Sequence, residues 1–224
     1  AGYSNTTGSG NIALGYQAAY STTTLNFNTA IGYQALYASN TNGYQTAIGY
    51  HALYSVNAGY NNTAVGASAL AATTSGNTNV GVGDSALTAN TSGSSNIAIG
   101  QSALYNNTTA SNNTAVGYQA GYSNTTGTGI DAFGYRALTS ATGSYNCAFG
   151  LNSQAGTTSG TFNASFGTSS MASNTSGNYN TAFGGSSLLS NTTASNNTAI
   201  GFQALNNNTT ASNNTAVGYQ AGYS

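Results

Sequence analysis

A glycine preceded by a large apolar residue returns along this chain with a fixed period, at Gly15, Gly32, Gly49, Gly66, Gly83, Gly100, Gly117, Gly134, Gly150, Gly167, Gly184, Gly201 and Gly218. Every interval is 17 residues except the 16 between Gly134 and Gly150. Thirteen units with a consensus near N-T-A-I-G-Y-Q-A-L-Y-S-N-T-T-G-S-N account for all 224 residues. A disordered tract has no reason to hold such spacing, because insertions there cost no packing. The period predicts one ordered repeat array over residues 1–224.

Aligned as columns, the units show what each position demands. The residue before the glycine is always large and apolar: Leu14, Ile31, Ile48, Val65, Val82, Ile99, Val116, Phe133, Phe149, Phe166, Phe183, Ile200 and Val217. That column is expected to be core. Two before the glycine stands alanine in all units but those of Gly81 and Ser165, and three after it only alanine or serine occurs. Such uniform smallness implies close approach of another surface. Leucine dominates four after the glycine (Leu36, Leu53, Leu70, Leu87, Leu104, Leu138, Leu188, Leu205), a second apolar column. Four before it, asparagine fills eleven of thirteen units, with Gln45 and Ile130 departing.

Identical residues at a fixed interval have physical meaning when successive units stack in register. The expected fold is therefore all-β, a β-solenoid or parallel β-roll of thirteen 17-residue coils about 4.8 Å apart. Helical repeats fit badly, since the apolar spacing lacks a 3.6-residue period and Tyr, Gly, Asn and β-branched residues dominate. Proline would delete a ladder hydrogen bond, and the chain has none. Asparagine amides one coil apart can bond up their column. The fixed glycine is expected to supply a positive φ or a tight bend. The one missing residue falls within residues 140–144, which marks that stretch as an outward turn.

Composition narrows the function. Only Asp84, Asp131 and Arg136 are formally charged, and the net charge is −1. A nucleic acid or an anionic membrane surface would need a basic footprint that such a chain lacks. No apolar run approaches a membrane span of roughly 18 residues. One cysteine builds no disulfide framework.

Catalytic constellations fail on the same geometry. His51 in the third coil and Cys147 in the ninth are expected about 29 Å apart, too far for a Cys/His pair. Asp84 and Asp131 are expected about 14 Å apart, beyond the ~5 to 9.5 Å of glycosidase carboxylates. His, Cys and acids do not cluster as metal ligands would. Gly81-Val82-Gly83 lacks the third glycine and strand-to-helix context of a phosphate loop. No catalytic, cofactor-binding or metal-binding residue is assigned, and the chain is expected not to be an enzyme. His51 and Arg136 fall in a polar column and are expected on an exposed face. Cys147 replaces Thr, Ile or Val and is expected to be a small packed residue. Asp131 and Arg136 share a coil and are candidates for a weak surface pair. The fourteen N-x-S/T sequons, among them Asn5, Asn90, Asn124 and Asn174, are read as a by-product of Asn/Thr richness.

Two or three buried aliphatic residues per coil fall short of the ordering cost of seventeen residues. Further burial of tyrosine or alanine faces against a neighbouring chain would close the gap, so a homo-oligomer is expected, as a parallel trimer. A self-sufficient single solenoid with narrow internal alanine columns is the alternative. The chain opens A-G-Y-S-N-T-T-G and closes N-N-T-A-V-G-Y-Q-A-G-Y-S, and both strings recur, at residues 120–127 and 112–123. Open ladder edges need caps, so a segment of a longer fibre is expected.

The string N-T-A-[IV]-G-x-x-A, as at residues 28–35, 113–120 and 197–204, resembles the head repeats of trimeric autotransporter adhesins and similar repeats of phage and bacterial tail fibres. The resemblance covers the whole chain. It implies a parallel β-roll, a homotrimer, a place on the cell surface, outside the cell or on a virion, and a role in attachment.

Tyrosine is the residue most suited to touching something, recurring one after the glycine (Tyr16, Tyr33, Tyr50, Tyr118, Tyr135, Tyr219) and five after it (Tyr20, Tyr37, Tyr54, Tyr105, Tyr122, Tyr223). Stacked rings with polar tips suit protomer packing or contact with a host-surface glycan. The functional expectation is a non-enzymatic fibre segment giving rigid display and multivalent attachment. An ice-binding solenoid is the alternative, using a threonine rank eight after the glycine: Thr74, Thr91, Thr108, Thr125, Thr175 and Thr192.

Overall fold

The computed structural model describes residues 1–39 and 43–223, and among these there is no helix. The chain divides into two compact units, Ala1–Asn112 and Asn113–Ser224. Each is an all-β solenoid with one three-residue strand per repeat. The first unit carries β1 (Ile12–Leu14), β2 (Thr29–Ile31), β3 (Thr46–Ile48), β4 (Thr63–Val65), β5 (Val80–Val82) and β6 (Ile97–Ile99). Each strand pairs parallel with the next, 17 residues on: Thr29 with Thr46, Ala30 with Ala47, Ile31 with Ile48. The second unit repeats the scheme with β7 (Thr114–Val116), β8 (Asp131–Phe133), β9 (Cys147–Phe149), β10 (Ala164–Phe166), β11 (Thr181–Phe183), β12 (Thr198–Ile200) and β13 (Thr215–Val217). The short spacing between β8 and β9 leaves the register intact, with Asp131 opposite Cys147 and Phe133 opposite Phe149.

Flanking β-branched or aromatic residues favour the extended backbone of each strand, and the fixed glycine ends it. All thirteen of these glycines have φ between 128 and 137°, a region that L side chains rarely adopt. A Cβ on Gly49 would also run into the carbonyl of Gly66, so consecutive coils touch through bare backbone here.

Positive φ is not confined to glycine. In the second coil Gln34 (52°), Leu36 (53°) and Tyr44 (62°) are left-handed, and the same three positions repeat in nearly every coil. Each such residue costs roughly 1–2 kcal/mol. Compensation comes from the ladder: Gln34 N–H donates to Tyr16 O at 2.8 Å and Leu36 N–H to Ala52 O at 2.9 Å, while Leu36 is fully buried. Not every N–H runs to a neighbouring coil. Asn90 N–H turns back to Leu87 O at 3.1 Å, closing the corner within its own coil.

The interior is narrower than the apolar columns suggest. The leucine column is buried, as expected, but its partners are the two alanine columns, with Ala30, Ala35, Ala47 and Ala52 fully buried. The surface that alanine approaches is the opposite wall of the same chain. Gly81 in β5 shows the fit, since a Cβ there would lie 3.2 Å from Leu70 Cγ and 3.4 Å from Ala86 O. Where serine replaces alanine, Ser153 and Ser165 hydroxyls meet across this interior at 2.5 Å.

The pre-glycine column, expected as core, faces outward. Ile31, Ile48 and Val65 are half-buried, Ile99 is 41 % exposed and Phe183 56 %. Successive strand side chains point to opposite faces, so a buried central alanine forces both its neighbours out.

The asparagine ladder forms as the repeat predicts. Asn79 Nδ2 donates to Asn62 Oδ1 at 3.1 Å and to Gly93 O at 2.8 Å, and Asn163 repeats this with Asn146 and Gly177. A second ladder runs seven after the glycine, where the consensus also carries asparagine: Asn107 Nδ2 to Asn90 Oδ1 at 2.9 Å and Asn191 Nδ2 to Asn174 Oδ1 at 3.0 Å. The missing residue of the short coil lies between exposed Thr142 and Gly143, where other coils carry an exposed residue such as Ser92. The deletion removes turn and no core.

Candidate functional site

The strand faces gather the outward chemistry. On β2, β3 and β4 a threonine rank (Thr29, Thr46, Thr63) runs beside an aliphatic rank (Ile31, Ile48, Val65), every residue in register with its like. On β8 to β11 the second rank becomes phenylalanine. Phe133 and Phe149 stack at 4.5 Å between centroids and Phe149 and Phe166 at 5.0 Å, while Phe183 lies tilted by 30° against Phe166 at 5.5 Å. These rings lie on the outer face of a sheet whose own core is already closed by alanine and leucine.

Three aromatic columns flank this face. One after the glycine, Tyr16, Tyr33 and Tyr50 stack at 5.2 and 5.4 Å, all exposed. Five after it, Tyr20, Tyr37 and Tyr54 stack at 5.3 and 5.1 Å, partly buried. A third, five before the glycine, was missed because the consensus there is small: Phe27 on Tyr44 at 5.4 Å, and Tyr145, Phe162 and Tyr179 at 4.8 and 5.2 Å. Ring faces within a tract are spent on one another. The edges and phenol tips are what a tract presents, apart from faces at its ends.

His51 is part of this surface, only half-buried. Its ring stacks on Tyr50 at 3.9 Å and its Nε2 lies 2.8 Å from Gln34 Oε1, continuing a ladder in which Gln34 Nε2 donates to Gln17 Oε1 at 2.6 Å. Arg136, in the same column, is exposed, and it forms no ion pair with Asp131. The two occupy different sides of the glycine bend.

Cys147 is a free, half-buried thiol on the outward face of β9. Burial first, and the carboxylate of Asp131 beside it second, push its pKa above the ordinary thiol value. Gly81 sits in β5 between Ala64 and Ala98, an ordinary strand position. Of the sequon asparagines named above, Asn90, Asn124 and Asn174 are fully buried, which closes them to glycosylation in the folded chain, whereas Asn5 is exposed. Among the described residues no three His, Cys, Asp or Glu side chains come together.

The threonine rank eight after the glycine is spent internally. Thr74 Oγ1 donates to Thr91 O at 3.1 Å, Thr91 Oγ1 to Thr108 O at 3.0 Å, and Thr175 Oγ1 to Thr192 O at 3.0 Å. Each hydroxyl hydrogen reinforces the coil-to-coil ladder.

No protein-family model, curated protein or solved structure matches this chain.

Proposed function

We propose that this chain is a non-enzymatic structural and adhesive segment of an extracellular, cell-surface or virion fibre. It works as a parallel homotrimer giving rigid display and multivalent attachment, with a surface glycan as the class of target. The observation that carries the reading is the apolar rank on the outer strand face, above all Phe133, Phe149, Phe166 and Phe183. The interior does not need these side chains, and contiguous exposed apolar surface marks a contact with another molecule. A second copy of the same chain, parallel and in register, offers the matching rank. Such association adds the burial that a coil walled by alanine lacks. The resemblance to adhesin and tail-fibre repeats points the same way.

Native mass of the full chain by sedimentation tests it. A threefold mass that falls to one copy in a Phe166→Asp/Phe183→Asp double variant is the expected result; a single-copy wild type overturns the trimer.

An ice-binding surface is the second reading. What favours it is the outward rank of Thr29, Thr46 and Thr63 beside Ile31, Ile48 and Val65, on parallel strands in register. It transfers that reading from the rank eight after the glycine, whose hydroxyls are occupied. Clear thermal hysteresis at micromolar protein would establish it over the fibre reading.

A further inference from the structure

Two tyrosines of the first unit stand outside the complete ladders. Tyr60, six before its glycine, occupies a column otherwise built of small residues such as Asn26, Asn77 and Ser94, and the residue one coil earlier is Gly43. Tyr60 is 46 % exposed and contacts no other ring among the described residues. Tyr44 stacks on Phe27 at 5.4 Å on one side only. The next residue in its column is Asn61, so its second face meets no ring, and it is 62 % exposed. Between them opens a cleft of about 490 Å³ lined by Gly43, Tyr44, Tyr60 and Asn61. Gly43 adds no side chain to the cleft, and a Cβ there would run into the carbonyl of Asn26, one coil earlier. Asn61 is exposed and its side-chain amide makes no hydrogen bond among the described residues.

These residues set out a recognition chemistry: two aromatic walls, a free amide able to donate and accept, two phenol hydroxyls, and no ionised group. The one charged side chain of this unit, Asp84, belongs to a different column in another coil. The volume lies within the ~300–1,000 Å³ typical of small-ligand pockets. We infer that this cleft binds a neutral pyranose sugar. The C–H face of the sugar lies against the Tyr44 and Tyr60 rings, and its hydroxyls exchange hydrogen bonds with the Asn61 amide and the phenol tips. Phosphorylated or sulfated sugars are disfavoured, because no cation faces the cleft. For its biological purpose the inference rests on the attachment reading; the binding itself needs one chain only.

Saturation-transfer NMR on the full chain, with methyl β-D-glucopyranoside, methyl β-D-galactopyranoside and cellobiose as probes, tests it. Transfer to the sugar C–H protons with millimolar affinity is expected. Tyr60→Ser, which restores the small polar residue of its column, should weaken binding about tenfold, the equivalent of one aromatic contact. Tyr44→Asn, the residue its column carries at Asn61, should do the same, with circular dichroism confirming that each variant folds. No transfer from any of the three sugars at tens of millimolar overturns the proposal, as does a signal unchanged in both variants. Binding of a tetraproline peptide in place of the sugars would overturn it in favour of a peptide groove. Sugar binding by a single-copy chain sinks the trimer and keeps the cleft, whereas a trimer that binds no sugar does the reverse.

Discussion

Asn62 Oδ1 accepts twice from Asn79, from its backbone N–H at 2.9 Å and from its side-chain Nδ2 at 3.1 Å. Asn79 in turn offers its own Oδ1 to Asn96 N–H at 3.0 Å and Nδ2 at 3.1 Å, and spends its second Nδ2 proton on Gly93 O at 2.8 Å. One buried side chain thus joins three coils and satisfies a backbone donor and acceptor in its neighbours. Asn79→Ala strands Asn96 N–H and leaves Gly93 O with the Asn90 amide alone, and a buried unsatisfied group costs about 1–3 kcal/mol. We expect a loss of about 1–3 kcal/mol in urea unfolding, with a fall in Tm. Asn207→Ala, at an exposed position of ordinary φ with no side-chain bond among the described residues, should change stability by less than about 0.5 kcal/mol.

The fixed glycine makes a sharper prediction. Gly49 has φ 137°, and a Cβ there meets the Gly66 carbonyl, which is backbone and has no rotamer to escape into. Gly49→Ala should therefore cost at least about 3 kcal/mol or prevent folding, as judged by circular dichroism. Gly185 lies on the outer surface, where a Cβ would stand 3.4 Å from the Phe202 ring edge. Gly185→Ala should fold as the parent does, with Tm within a few degrees.

Much of this design is legible in the repeat. The period fixes the stacking, the absence of proline fits a ladder on every coil, and the asparagine four before the glycine behaves as its column demands. The inside–outside assignment of the strand is where hydrophobicity misleads. Ile48 is far more apolar than Ala47, yet Ala47 is the buried one. The signal that decides it is parity: the pre-glycine residue shares its face with the residue two earlier, and that column holds Thr29, Thr46, Thr63 and the charged Asp131. A face that tolerates Asp131 is the solvent face. The second asparagine ladder is only partly legible: the consensus carries asparagine there, but its column mixes Asn90 and Asn107 with Thr73, Val56 and Ala141. The Tyr44–Tyr60 cleft depends on a glycine and a tyrosine in adjacent coils of one column, a local departure that a consensus averages away.

The mixed column itself allows a stabilising change. Thr73 is fully buried and its Oγ1 has no hydrogen-bond partner. The next residue up the column, Asn90, already bonds with Nδ2 to Gly93 O at 3.0 Å, and Asn107 Nδ2 continues to Asn90 Oδ1 at 2.9 Å. Thr73→Asn would extend this ladder by one rung and give its own Nδ2 the carbonyl of Gly76, three residues on, as Asn90 uses Gly93. We expect a gain of about 1 kcal/mol, seen as a higher urea midpoint at unchanged slope. A lower midpoint would mean that the corner lacks room for the longer side chain.

Cys147 supplies the pH-dependent test. Its thiol is held neutral by burial and, to a smaller degree, by the Asp131 carboxylate on the neighbouring strand. Because the folded pKa lies above that of the unfolded thiol, near 8.5, this group's stabilising effect is complete below that value. It is lost as pH rises from there through the folded pKa. Alkylation by iodoacetamide reports the same titration directly, since only the thiolate reacts. The native chain should react at pH 8 more slowly than the urea-unfolded chain by more than the loss of access in a half-buried site explains, and its rate should keep climbing above pH 9. Asp131→Asn should move the rate profile to lower pH by the lesser part of the shift, because burial is the larger cause and remains. A profile that Asp131→Asn returns fully to that of the unfolded thiol would make the carboxylate the dominant cause and reverse that order.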